Sequence, residues 1–163
     1  MKILILTTIT DHHLFFIKEI VKKFKKTNIV LENKKNKFNF STNHTYLKKR
    51  KKFEKKYFFK NKKNNCDYDK TFFDINNTNC INYIRKKNPN IIISFGIGLI
   101  KKKFLKIFKT KKIINLHGGN LNYYRGLDSH LWSIYHNDFK NLITTLHYVD
   151  AKFDTGRIID TKK

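Results

Sequence analysis

At 163 residues, with 40% hydrophobic and 15% aromatic content, the chain can build one domain with a real core and has too little length for two. That composition excludes a wholly disordered protein in spite of 29% charged residues and a mean hydropathy of -0.58. The net charge of +24, from 36 Lys+Arg against 12 Asp+Glu, leaves two readings open: a dedicated polyanion site, or a genome rich in A and T whose codons favour lysine, asparagine, isoleucine and phenylalanine everywhere.

Residues 2–7 form a compact apolar run, and Leu14, Ile17, Ile20, Val21 and Phe24 follow at helical spacing, so the chain opens as strand, loop, helix. Asp11, His12 and His13 follow the first run directly and no small-residue cleavage site appears, which argues against a signal peptide. No stretch approaches the roughly 18 apolar residues of a membrane span. A cytoplasmic protein is expected. Residues 28–31 make a second strand, and 32–70 then carry lysines and asparagines with scattered aromatics and no sustained period. This segment is expected to be a basic insertion or mobile helical excursion. Cys66 and Cys80 form no CxxC pair and have no zinc-like His/Cys spacing around them, so free thiols and no metal site are expected.

Periodicity returns over 74–87, where Ile75, Cys80, Tyr83 and Ile84 share a helical face and Asn88-Pro89 ends it. Residues 90–94, NIIIS, read as a β-branched strand buried on both faces. Residues 99–108 read as a helix and 112–116 as a further strand. Strands alternating with helices at these distances call for an α/β fold, Rossmann-like, with a mostly parallel sheet flanked by helices. Ligands of such sheets sit beyond the carboxyl ends of the strands. Two loops with unusual chemistry leave that edge, SFGIG after 91–93 and HGGNLNYYRG after 113–116.

Asn115 and His117 are one residue apart at a strand end, so their side chains project to the same face. An amide there donates to a carbonyl oxygen that is becoming negative, and an imidazole moves a proton. Spacing alone equally fits a polar strand end with a solvated histidine. Together, however, NLHGGNLNYYRG, LITTLHYVD and KFDTGRII resemble the N-x-H, R-G and D-x-G pattern of the folate-dependent formyltransferases, which act on methionyl-tRNA, amino sugars or glycinamide ribonucleotide. The resemblance is good over 88–159 and weak before it.

The resemblance implies an enzyme, a formyltransferase with N10-formyltetrahydrofolate as cosubstrate, and a catalytic triad of Asn115, His117 and Asp154. It implies a cofactor pocket lined by Phe95, Gly96, Ile97, Gly98 and Leu99 on one side and by Val149 and Asp150 on the other. Ile97 and Leu99 fit the core equally well. Gly118 and Gly119 replace a proline and a serine common in the family, and Asn122 replaces a second proline, so the acceptor side has its own shape. Arg125 fixes its loop or meets substrate. His12 and His13, on the binding edge, are candidates for the phosphates or sugar of the acceptor. His130, His136 and His147 read as core or surface residues.

The family's glycinamide ribonucleotide enzymes carry a glycine-containing loop after the first strand, suited to gripping phosphate with backbone N–H groups; TTITDHH has no glycine. Methionyl-tRNA enzymes append a carboxyl-terminal domain, and family catalytic domains carry a further strand and helix after the segment matching 156–159. The expectation is therefore a single catalytic domain over 1–163, truncated at its carboxyl end, with a nucleotide-linked amino sugar as acceptor. Methionyl-tRNA or glycinamide ribonucleotide is the alternative. A reading of another class is a non-catalytic nucleic-acid-binding protein using 48–63, where Phe53, Tyr57, Phe58 and Phe59 interleave with lysines.

Overall fold

The computed structural model describes residues 1–34, 45–60 and 67–163. Its seven-stranded sheet runs in the order β3-β2-β1-β4-β5-β6-β7. The strands are β1 Ile3–Thr7, β2 Thr27–Glu32, β3 Lys70–Phe72, β4 Ile91–Phe95, β5 Lys112–His117, β6 Thr144–Tyr148 and β7 Ile158–Lys162. The first five are parallel to one another, while β6 pairs antiparallel with β5 and β7 antiparallel with β6. The helices are α1 Asp11–Lys23, α2 Thr45–Phe59, α3 Thr78–Lys87, α4 Lys102–Ile107 and α5 Ser129–Tyr135.

Alternation along the central strands builds two apolar layers. Ile3, Ile5, Ile29, Leu31 and Ile93 point to the side covered by Ile17 of α1. Leu4, Leu6, Val30 and Ile92 point to the side covered by Cys80, Ile81 and Ile84 of α3 and Phe104 of α4. Burial, followed by the nearby Glu32 and Asp74 carboxylates, pushes the Cys80 thiol up to about 12, so it behaves as an inert core residue. Because β1 pairs with β2 on one side and β4 on the other, the chain's winding reverses there. A crevice opens at the carboxyl ends of the two strands.

Several elements differ from the sequence reading, each for a local reason. The α3 helix starts at Thr78, not at 74, because the Asp74 carboxylate accepts from the Asn76 backbone N–H at 2.7 Å and makes a turn. Asn77 then caps the helix, accepting from the Cys80 N–H at 2.8 Å. Asn88, with φ 46, closes it before Pro89. The α4 helix likewise starts only at Lys102, since the backbone of Gly98, Leu99 and Lys101 is bound by the side chains of Glu32 and Asn76. Strand β3 escaped the sequence reading because it is an edge strand of three residues, two of them exposed.

Part of the 32–70 segment forms α2, which docks on α1 through Phe58 and Phe59 against Phe15, with ring centroids at 4.8 and 6.4 Å. Two of the four aromatics read as nucleic-acid contacts are thus spent on helix packing, whereas Phe53 and Tyr57 stay exposed and stack on each other. The remainder of that segment, residues 35–44 and 61–66 with Cys66, lies outside the described residues. The carboxyl-terminal stretch forms strand β7, paired antiparallel with β6. Among the described residues no helix is long and apolar enough to cross a membrane.

Candidate active site

A cavity of about 840 Å³ lies over the carboxyl edge of β4 and β5, within the size range of small-ligand clefts. Its floor comes from β5. Parallel pairing sets Ser94 of β4 beside Asn115, and antiparallel pairing sets His147 of β6 directly opposite it. The Asn115 carboxamide is consequently engaged at both ends. Its oxygen accepts from the Ser94 hydroxyl at 2.9 Å, and its nitrogen donates to Asp154 Oδ1 at 3.3 Å and lies 3.1 Å from His147 Nε2.

His117, two residues on, faces acceptors with both ring nitrogens: Nε2 lies 2.9 Å from the Tyr124 carbonyl oxygen and Nδ1 3.4 Å from Asp154 Oδ2. A ring protonated at both nitrogens donates to both, and a neutral ring to one of them. Asp154 therefore stands at the centre of a buried cluster, with His117 on one oxygen and His147 on the other at 3.5 Å. The Gly126 backbone N–H also donates to Asp154, at 2.9 Å. Burial alone would raise the Asp154 carboxyl; the bonds from His147 and Gly126 and the charges of His117 and His147 outweigh it and hold the carboxyl below its ordinary range.

The loops that complete the cluster are shaped for it. Asp154 itself has φ 51, a left-handed conformation aspartate tolerates better than most residues. Gly156 leaves no alternative, because a Cβ there would lie 1.6 Å from the Tyr148 carbonyl oxygen. Gly126 has φ 84, so its place beneath Asp154 requires glycine through conformation and not through crowding. In the HGGNLNYYRG loop, the Asn120 amide donates to Asn141, which donates to Asp138, and Asp138 also accepts from the Tyr124 hydroxyl. These side-chain bonds fix the loop.

The structure brings Asn115, His117 and Asp154 to one point and sets Phe95, Gly96, Ile97, Gly98, Leu99, Val149 and Asp150 along the cavity walls. His12, Gly118 and Arg125 also line it. Arg125 in addition donates from Nε to the Leu121 carbonyl at 2.6 Å, which ties down its loop. His13 and Gly119, expected to meet substrate, do not line the cavity. His13 is 7% exposed and packs under Gly96, where burial first, then His12 and Arg50, lower it to about 3. Gly119 is packed beneath the cavity floor, where an added Cβ would sit 2.7 Å from Ser129 Cβ and 3.0 Å from His117 Nε2.

Three residues at the site escaped the sequence reading. His147 is 2% exposed, and its place in the cluster depends on the antiparallel register of β6, which no local pattern announces. Arg50 and Glu54 of α2 reach the cavity mouth beside His12, with the Arg50 Nε donating to Glu54 at 2.9 Å. A compositional signal existed for Arg50. In a chain that overwhelmingly uses lysine, only four cations are arginine, and Arg50 and Arg125 both line this cavity. No group of three or more potential metal ligands occurs among the described residues.

Comparison with known proteins shows the family. The formyl transferase family matches the chain over residues 1–163. A bifunctional polymyxin resistance protein, ArnA, of Wigglesworthia glossinidia brevipalpis is 37% identical over 87 residues, covering 53% of this chain and 13% of that protein. A methionyl-tRNA formyltransferase of Borreliella afzelii is 38% identical over 85 residues, covering 52% of this chain and 26% of the relative. The solved structure of a sugar N-formyltransferase from a Shewanella species has the same fold, with a TM-score of 0.61 at 16% identity over 99% of this chain and 56% of the other. The chain spans about a quarter or less of these curated relatives and about half of that solved structure.

Proposed function

Because the chain belongs to the formyl transferase family, we propose that it transfers a formyl group from N10-formyltetrahydrofolate to the primary amine of a nucleotide-linked amino sugar. Residues 1–163 act as one catalytic domain in this reading. The observation that carries it is the convergence of Asn115, His117 and Asp154 on one cavity floor at the sheet's carboxyl edge.

The residues present suit the cosubstrate. The wall from Phe95 to Leu99 is backbone-rich, with two glycines, and backbone N–H and C=O groups match the donor and acceptor edge of a flat heterocycle. When bound, N10-formyltetrahydrofolate supplies the formyl carbon: the amine nitrogen bonds to that carbon, its bond to N10 breaks, and N10 gains the proton that the amine loses. Asn115 donates to the formyl oxygen as negative charge develops there, exchanging one of its present N–H contacts for substrate. His117 lies 7% exposed beside that charge. The His117–Asp154 pair receives the amine's proton and returns it to the leaving nitrogen, while Asp154 and the Tyr124 carbonyl fix the ring's orientation.

One feature favours the sugar-directed acceptor. The loop after β1 contains Thr8 and Thr10 and no glycine, and His12 follows in the first turn of α1, so side chains and not a glycine-shaped nest of backbone N–H groups meet the acceptor. The test is direct comparison of acceptors: the protein is incubated with N10-formyltetrahydrofolate and, separately, with nucleotide-linked amino sugars, glycinamide ribonucleotide and methionyl-tRNA, and formamide formation is followed. Transfer to an amino sugar is expected. Turnover confined to either of the other acceptors would replace this assignment, and absence of transfer to every amine would remove the activity itself.

A further inference from the structure

We propose that Glu32 and Asn76, neither of which lines the cavity, are positioning residues that hold the Gly96–Lys101 wall in register for the formyl donor's ring. The proposal rests on the folate-dependent reading above and adds to it the device that shapes the donor side.

Residues 96–101 follow β4 without entering a helix, although apolar spacing continues through Leu105 and Phe108. A backbone that neither pairs with a strand nor coils must find partners elsewhere. Glu32, the last residue of β2, supplies one. Its carboxylate is 6% exposed, and each oxygen takes a different main-chain donor: the Gly98 N–H at 2.7 Å and the Ile75 N–H at 3.2 Å. One buried carboxylate thus ties the cavity wall to the turn before α3. Asn76, in that same turn, supplies the second tie. Its amide nitrogen donates to the Leu99 carbonyl at 2.9 Å and its oxygen accepts from the Lys101 N–H at 2.8 Å. A side-chain amide here mimics the peptide partner that a neighbouring strand would offer.

The two ties act on the same short stretch from behind. Glu32 fixes Gly98, Asn76 fixes Leu99 and Lys101, and His13 packs under Gly96 at the other end, where φ is 72. With their outward groups committed, these residues can turn toward the cavity only what remains, so the pattern offered to a flat ring is set by two side chains the ring never touches. Hydrogen bonds to a charged group in a buried place are the strong kind, and a neutral amide in place of Glu32 keeps a single acceptor for two N–H groups. Carboxylates are scarce in this chain, 12 among 163 residues. One spent wholly on main-chain donors points to a geometric task.

Glu32→Gln and Asn76→Asp test this by calorimetric binding of tetrahydrofolate and by separate KM values for formyl donor and amine. Each variant is expected to weaken tetrahydrofolate binding and raise donor KM about tenfold, with acceptor KM and kcat at saturating donor within about twofold of wild type. KM does not depend on the fraction of folded enzyme, so a loss of stability alone leaves it unmoved. Unchanged donor KM and tetrahydrofolate affinity in both variants would overturn the proposal. An equal rise in acceptor KM would also overturn it, as would a wild-type protein that fails to bind tetrahydrofolate. A protein that binds tetrahydrofolate and transfers no formyl group would remove the reaction proposed above, while the binding constants still decide the role of Glu32 and Asn76.

Discussion

Asp154 is the residue on which the site turns. It sits in left-handed backbone, accepts from Gly126 and Asn115, and faces an imidazole on each oxygen. The fold holds its carboxyl below the ordinary range, so the ionised form is the one the native state favours. A depressed carboxylate contributes stability that is fully present above its unfolded value, about 3.9, and is lost as pH falls through the lower folded value. The urea midpoint of Asp154→Asn should therefore lie below that of wild type at about pH 5, and the margin should shrink below about pH 4. A margin unchanged into strong acid would mean that the carboxylate's charge plays no part in holding the cluster.

At the scale of elements, the loops between strands and helices carry the constraints, and α1 illustrates how. Its His13 is packed against Gly96 and Phe95, with the His13 and Phe95 ring centroids 4.3 Å apart, and the ring is kept neutral with a value lowered from 6.5 to about 3. Between those values the unfolded chain binds a proton that the native state refuses. Stability is then fully present above 6.5 and declines as pH falls toward about 3, with a slope of at most about 1.4 kcal/mol per pH unit from this group. Denaturation of wild type and His13→Leu between pH 7.5 and 5 measures it; the variant should show the shallower slope, and equal slopes would show that His13 titrates normally in the fold. Of these elements, the sequence made α1, β4 and β5 legible because their apolar periods are strong and short-range. It left β3 and the start of α4 unread, since edge pairing and the reach of Glu32 and Asn76 across the fold are tertiary facts. The catalytic candidates were legible through motif order, whereas His147 needed the β5–β6 register to be seen opposite Asn115.

At the scale of the whole molecule, the charge of +24 is spread through most segments of the sequence. What the fold does concentrate is the rarer chemistry: arginine at the cavity mouth, glycines at its walls, and a carboxylate between two histidines at its floor. The central claim is that this floor transfers a formyl group, and the most direct measurement couples tetrahydrofolate release to formylation of a nucleotide-linked amino sugar by wild type, Asn115→Ala and His117→Ala. Wild type should release one tetrahydrofolate per formamide, and each variant should lose roughly 10²-fold or more in kcat while keeping its thermal midpoint within a few degrees. Folded variants that turn over at the wild-type rate would contradict the account.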